Sequence, residues 1–135
     1  SIYGHTAAAA EQLGEMLRDK GIDVTVMDLA RSDMAEAVAQ AFRYSKLVLA
    51  SPTYNAEVFP FTRSFIEHLT ERNYQNRTVA LIENGSWAPM AARVMRKMLE
   101  GSKNLTILDE GVTIKSALDS TSEAQLKALA EALAQ

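Results

Sequence analysis

A short segment at the start of the chain places hydroxyl side chains and a glycine directly before a run of alanines. Ser1, Tyr3 and Thr6 supply the hydroxyl groups, and Gly4 permits a tight turn. The backbone N–H groups at the start of a helix lack intrahelical partners and lie at the positive end of the helix dipole, so such a turn binds anions. No Lys or Arg precedes Arg18. A turn that offers many hydrogen-bond donors but no Lys or Arg side chain is suited to binding a terminal phosphate group.

Two later polar loops each carry an aromatic residue. Tyr54 follows the apolar run 46–51, and Trp87, the only tryptophan, follows the apolar run 78–82. Either aromatic residue alone could simply pack over the hydrophobic core. In the same way, a capped helix after a tight turn would by itself account for Gly4 and Thr6. Together the three loops predict a site for a planar ring that carries a phosphate, because two aromatic side chains can stack on both faces of such a ring.

The elements that position these loops are predicted from apolar spacing, which alternates between helix and strand periods. Helices are predicted between Thr6 and Gly21, from Met34 through Phe42, from Pro60 through Leu69, from Ala91 through Leu99 and from Ser120 through Leu133. Strands are predicted over Val24–Leu29, Lys46–Ser51, Thr78–Ile82 and, with an interruption, Leu105–Ile114. Strands that alternate with helices predict right-handed crossovers and a parallel sheet covered on both faces. Ligands of such doubly wound α/β domains bind outside the carboxyl ends of the strands, where the three loops lie.

Several residues predict helix ends. Thr6 is suited to cap the first helix, and Gly21 is suited to end it. Ser32 is a predicted N-cap of the second helix, and Ser120 with Glu123 has the spacing of a capping box at the start of the last helix.

Composition excludes several classes of protein. The chain has 135 residues, 14 basic and 17 acidic side chains and a net charge of -3, which gives no broad basic field for nucleic acid or an anionic membrane. No apolar run approaches the roughly 18 residues of a membrane helix, and no signal peptide is recognisable, so we expect a cytoplasmic protein. The absence of cysteine excludes thiolate metal sites and cysteine catalysis in this chain. Redox chemistry would need a bound cofactor.

Three motifs together resemble the flavodoxin-like domain of flavodiiron proteins (A-type flavoproteins). They are Ser-x-Tyr-Gly-x-Thr at 1–6, Ser-Pro-Thr-Tyr-Asn at 51–55 and Asn-Gly-Ser-Trp-Ala-Pro at 84–89. The resemblance covers essentially the whole chain; the first motif is shared by flavodoxins in general, and the other two are more specific to the flavodiiron group. It implies one flavodoxin-like domain over residues 1–135, with a doubly wound, parallel five-stranded sheet in the order 2-1-3-4-5.

The first strand of that sheet is largely missing, because the chain opens on Ser1 where the strand should end. That strand lies between two others in this order, so its loss would leave two unpaired edges. We therefore expect the domain to be the C-terminal part of a longer protein.

The resemblance also implies a cofactor, FMN, bound noncovalently. Its phosphate would be held by Ser1, Tyr3, Gly4, His5 and Thr6, although His5 departs from the asparagine common in the family. Its ring would lie between Tyr54 and Trp87, next to Pro52 and Thr53 of the second motif, with Asn55 and Glu57 at the N5 and N3 edge and Asn84, Gly85 and Ser86 on the O2 side. No catalytic or metal-ligating residue is predicted.

Flavodiiron proteins join this domain to a metallo-β-lactamase-like domain whose two irons reduce O2 or NO. The two histidines of this chain, His5 and His68, cannot build a diiron centre with scattered carboxylates. The resemblance thus implies an electron carrier, the flavin domain of an oxidoreductase, with the diiron domain upstream or in a partner subunit. It implies a small donor such as rubredoxin or a reductase, and it is compatible with a homo-oligomer.

Rival interpretations remain. A free-standing flavodoxin usually surrounds its flavin with acidic residues, and an NAD(P)H:quinone reductase carries insertions that this chain lacks. A domain that has lost its flavin and acts as an interaction module would be colourless and would not take up FMN. Phosphoacceptor signalling domains need an acidic pair where Ser1 and Tyr3 stand.

Overall fold

The computed structural model describes residues 2–54, 57–58, 60–84, 91–109, 111–114 and 119–135. The helices in these ranges are α1 (Ile2–Asp19), α2 (Met34–Arg43), α3 (Pro60–Glu71), α4 (Ala91–Leu99) and α5 (Ser120–Leu133). The strands are β1 (Lys46–Tyr54), β2 (Glu57–Val58), β3 (Arg77–Asn84), β4 (Leu105–Ile107) and β5 (Val112–Ile114). From β1 onward, each helix follows one strand or two consecutive strands, in agreement with the predicted order of helices.

The sheet is parallel around its central strand, β3. Residues 46–52 of β1 pair with 78–84 of β3 on one side, and β4 and β5 pair with the two ends of β3 on the other. β4 and β5 are therefore successive pieces of one edge strand, which confirms the predicted interruption between Leu105 and Ile114. The short β2 was not predicted; it pairs antiparallel with the last two residues of β1.

Both faces of the sheet are covered, as in a doubly wound fold. Val79 and Leu81 of β3 belong to a buried cluster with α2, α3 and α4, whereas Ala80 and Ile82 belong to a second buried cluster with α1 and α5. The apolar run of β3 is continuous because its alternate side chains enter two different cores. The predicted flavodoxin-like α/β fold is thus confirmed.

The predicted strand Val24–Leu29 is wrong, since no strand is assigned to these residues. The side chains of this segment nevertheless point into both cores. Val24 packs against the cluster with α1 and α5, and Met27 and Leu29 pack against the cluster with α2, α3 and α4. The segment also lies close to α1: a Cβ atom at Gly14 would be 2.9 Å from Cγ2 of Val26. The segment Val24–Leu29 therefore contacts both cores at the edge of the sheet, as a strand would. In the described residues it has no neighbouring strand with which to pair.

A groove of about 450 Å³ separates this segment from β1. Apolar side chains from both layers line it, among them Leu13 and Leu17 of α1, Ala41 of α2 and Phe65 of α3. Within the described ranges, residues 46–52 pair with a strand on the β3 side only. The groove therefore follows an unpaired edge in the interior of the domain.

The start of α1 differs from its prediction. The helix begins at Ile2, so Tyr3 to Thr6 are helical and Thr6 is not the N-cap. The alanines at 7–10 explain this extension, because alanine is the strongest helix former and one glycine costs only about 1 kcal/mol. Gly21 ends α1 as predicted, at a φ of 81°.

Two other caps lie next to the predicted residues. Asp33 caps α2 by accepting a hydrogen bond from the Glu36 N–H, so the prediction of Ser32 is wrong. The capping box of α5 is formed by Asp119 and Ser122 rather than by Ser120 and Glu123. Hydrogen bonds from the Ser122 backbone and side chain hold the pKa of Asp119 below its usual value.

The buried phenol of Tyr74 leads to a prediction about alkaline stability. Tyr74 is 1% exposed, its hydroxyl donates to the Ala41 carbonyl at 3.2 Å, and burial raises its pKa from 10.0 to about 12, although Arg77 acts in the opposite direction. Folding therefore favours the protonated phenol; this stabilisation is complete below pH 10 and is lost as the pH rises to 12.

We expect the parent to lose up to about 3 kcal/mol of unfolding free energy over that interval relative to Tyr74→Phe. Urea unfolding of both proteins at several pH values measures the difference. Parallel declines would show that Tyr74 does not titrate differently on folding.

Candidate functional site

The carboxyl ends of β1 and β3 lie side by side. Pro52 is the neighbour of Asn84 in the parallel ladder, and Tyr54 pairs with Glu57 immediately beyond. The loops that begin at these points are the two predicted to flank a planar ring. The structure therefore brings the starts of both loops to one edge of the sheet.

The first turn of α1 lies at this edge as well. Thr6 is 3% exposed and lines one end of the groove together with Ala50, Phe61 and Thr62. Tyr3, Gly4 and His5 are among the first four residues of the helix, whose N–H groups have no intrahelical acceptor. Although α1 starts earlier than predicted, it presents the N–H donors that a phosphate requires.

Buried hydroxyl groups accompany Thr6. Ser51 is 0% exposed at the end of β1, and Thr62 is 1% exposed in the first turn of α3. Oγ1 of Thr62 has no hydrogen-bond partner among the described residues. An unpaired buried hydroxyl costs about 1–3 kcal/mol, which favours a ligand with hydrogen-bonding oxygens at this end of the groove. These polar groups fit the phosphate and ribityl chain of FMN.

Glu83 connects the loop after β3 to its surroundings. Its Oε1 accepts a hydrogen bond from the Ala92 N–H at 3.2 Å, and its Oε2 accepts one from the Thr113 hydroxyl at 3.3 Å. The Thr113 N–H donates in turn to Oε1 of Gln125 at 3.0 Å. One half-buried carboxylate thus joins β3, α4 and β5.

Several predicted site residues are not tested by this geometry. Ser1, Asn55, Gly85, Ser86 and Trp87 lie outside the described residues, and Tyr3, Gly4, His5, Pro52, Thr53, Tyr54, Glu57 and Asn84 are placed by their backbone alone. Their contacts with FMN stay predictions.

Sequence reasoning assigned no role to Ser51, Thr62 or Glu83. Glu83 had a recognisable signal, namely a charged residue directly after the buried run 78–82. Thr62 had none, because a threonine inside an amphipathic helix is ordinary.

The described residues contain no group of three His, Cys, Asp or Glu side chains arranged to hold a metal ion. His68, near the end of α3, lies with its Nδ1 3.2 Å from Nη1 of Arg72 and 3.9 Å from the Glu71 carboxylate. Among the helices in the described part, none is long and apolar enough to cross a membrane.

Solved structures with this fold include both multidomain and single-domain proteins. A rubredoxin oxygen:oxidoreductase from the anaerobe Desulfovibrio gigas superposes with a TM-score of 0.89 at 21% identity, over 96% of this chain and 32% of that one. The flavodiiron protein from Giardia intestinalis gives a TM-score of 0.83 at 19% identity, over 97% and 32%. A flavodoxin from Streptococcus pneumoniae gives a TM-score of 0.83 at 21% identity, over 99% and 92%.

Curated relatives carry one name, anaerobic nitric oxide reductase flavorubredoxin. The protein from Aeromonas hydrophila is 22% identical over 110 residues, and that from Pectobacterium atrosepticum is 26% identical over 110 residues. In both cases the match covers 79% of this chain and 22% of the relative. The chain thus spans about a fifth of the length of these relatives.

The sequence profile of the flavodoxin family matches residues 1–130, nearly the whole chain. The match agrees with the parallel sheet, its two covering layers and the carboxyl edge at which the loops after β1 and β3 begin. This chain belongs to the flavodoxin family.

Proposed function

We propose that this chain binds FMN and serves as the electron-transfer domain of an oxidoreductase. The observation that carries the proposal is the meeting of three elements at one sheet edge: the first turn of α1, the end of β1 and the end of β3. Thr6 and the N–H groups of residues 3–5 would hold the phosphate. Thr62 offers a further hydroxyl at the same end of the groove.

The loops after β1 and β3 would hold the ring. Tyr54 and Trp87 would stack on it, next to Pro52 and Thr53. Asn55 and Glu57 would meet its N5 and N3 edge, and residues 84–86 would donate to its O2 side. FMN supplies the redox chemistry, since it accepts and releases electrons one or two at a time. The chain supplies binding, orientation and the electrostatic environment.

We further propose that the electrons pass to a diiron centre on a metallo-β-lactamase-like domain that reduces O2 or NO. The names of the curated relatives support this destination, as does the small share of their length that the chain covers. The diiron domain would precede residue 1 in the same polypeptide or belong to a partner subunit. A rubredoxin or a reductase would be the donor.

A diffusible flavodoxin is the second candidate. It is favoured by the Streptococcus pneumoniae flavodoxin, 92% of whose length is matched by this chain. The gene distinguishes the two candidates: a reading frame that continues upstream into a domain rich in His, Asp and Glu supports the relay. A start codon a few residues before Ser1 supports the diffusible carrier.

Flavin binding itself is tested by the fluorescence of the single tryptophan, Trp87. We expect one FMN per chain to quench this emission, because a stacked flavin lies in contact with the indole. Titration of the apoprotein measures stoichiometry and affinity, and Trp87→Phe, which keeps an aromatic ring without the indole emission, is the control. Unchanged emission and a colourless protein after incubation with FMN would instead favour an interaction module.

A further inference from the structure

Helix α4 presents only positive charges to solvent. Its inward side consists of three buried residues, Ala91, Met95 and Leu99. Its outward side carries the exposed side chains of Arg93, Arg96 and Lys97, at a spacing that places them together on one side of the helix. The helix contains no Asp or Glu, and in the described part of the chain none of the three cations forms an ion pair. We call these three residues the cationic face.

The stability of α4 accounts for two of these cations but not for Arg93. Arg96 and Lys97 lie in the last turn, where the negative end of the helix dipole favours a cation, and Arg96 also donates to the Leu108 carbonyl at 3.5 Å. Arg93 lies in the first turn, where the dipole disfavours a cation. It is also three and four residues from two like charges, which destabilises a helix. Arg93 thus acts against its own helix, as residues with a functional role often do.

Arg93 lies beside the candidate site. The Glu83 carboxylate, near the end of β3, accepts a hydrogen bond from the Ala92 N–H at 3.2 Å. This bond holds the first turn of α4 at the carboxyl edge of the sheet, where Pro52 of β1 and Asn84 of β3 are neighbours. The cationic face therefore begins next to the edge at which the cofactor is proposed to bind.

The opposite layer of the domain has the opposite charge. α5 exposes Glu123 and Glu131 against Lys127, and the chain as a whole has a net charge of -3. The positive charge is thus concentrated on one helix beside the candidate site rather than spread over the surface. Such a field orients an acidic protein so that its acidic surface meets the cationic face.

We propose that the cationic face of α4 docks a small electron-donor protein with an acidic surface. This inference rests on the proposed function, because the donor is oxidised as the FMN of this chain is reduced. Complementary charges raise the rate of encounter and fix the orientation of the partners more than they add affinity. Fast encounter and easy release suit a transient electron-transfer complex.

The test uses an acidic rubredoxin as the probe. Stopped-flow mixing measures its association with the flavin-free chain and, after its reduction, the rate at which it reduces the FMN-loaded chain. The variant Arg93→Gln/Lys97→Gln removes two charges from the cationic face. The matched control, Lys20→Gln/Lys127→Gln, removes two exposed charges from the layer of α1 and α5. Photoreduced deazaflavin, a small donor that needs no docking surface, should reduce the FMN of all three proteins equally.

We expect Arg93→Gln/Lys97→Gln to lower both rubredoxin rates by about tenfold at 10 mM salt, while the control stays close to the parent. The difference should vanish at 1 M salt, where the screening length falls from about 30 Å to about 3 Å. The melting temperature of the variant should not fall, because Arg93 opposes the dipole of its helix.

Equal rates in the parent and the variant at low salt would overturn the proposal, and so would an equal loss in the control. A dimer at low salt that the variant abolishes, without binding of rubredoxin, would assign the cationic face to a second copy of the chain and overturn it too. A parent that binds rubredoxin at low salt but takes up no FMN would overturn the proposed function and support the docking surface.

Discussion

Replacement of Thr6 by alanine is expected to weaken FMN binding by about five- to a hundredfold and to leave riboflavin binding nearly unchanged. Thr6 is 3% exposed at the end of the groove where the first turn of α1 meets β1. Loss of its hydroxyl would leave a phosphate oxygen without this partner, at a cost of about 1–3 kcal/mol. Riboflavin lacks the phosphate, so it has no corresponding interaction to lose.

The helix itself should tolerate this substitution, because alanine has the higher helix propensity. Thr6→Ser keeps the hydroxyl and should restore most of the FMN affinity. Thr121→Ala removes an exposed hydroxyl from the first turn of α5 and controls for the substitution as such. Fluorescence titration of each variant with both flavins gives the comparison. Equal losses for FMN and riboflavin in Thr6→Ala would place the phosphate elsewhere.

The parts of the fold that could be predicted are those determined by neighbouring residues in the sequence. The apolar run at 78–82 is continuous because its side chains alternate between two cores, and Gly21 ends α1 because its φ is positive. The segment Val24–Leu29 has an equally clear alternation, yet it forms no strand. Pairing depends on a neighbour as well as on the segment itself, and in the described chain an open groove lies where that neighbour would be.

The candidate site, too, was predictable in part. Its location followed from topology alone, since ligands of parallel sheets bind at the carboxyl ends of the strands. The hydrogen bond between Glu83 and the Ala92 N–H could not be predicted from the sequence, because it depends on how α4 packs beside β3. The predicted cap of α2, Ser32, lies one residue before the observed cap, Asp33, and α1 begins at Ile2, well before its predicted cap, Thr6. Neighbouring Ser and Asp residues compete as caps, and alanines extend a helix beyond a glycine.

A Val- and Ile-rich strand preceding Ser1 in a longer polypeptide is expected to raise the unfolding free energy by about 3 kcal/mol, or the Tm by roughly 10 °C. We propose that such a strand fills the groove beside β1. Residues 46–52 of β1 would then have a neighbouring strand on both sides. Oε1 of Gln40, a buried atom without a partner among the described residues, faces the same groove and would gain a possible donor.

The side chains of the added strand would alternate between the two cores, as those of Val24 and Met27 do on the far side of the groove. Their burial would exceed the cost of ordering a strand of about six residues, because the walls of the groove are already formed. Thermal unfolding of the longer polypeptide and of the present chain measures the gain. The matched control replaces the central apolar residue of the added strand with proline, which cannot donate to a ladder and should remove most of the stabilisation. If both additions left the Tm at the value of the present chain, the groove would not be a strand site.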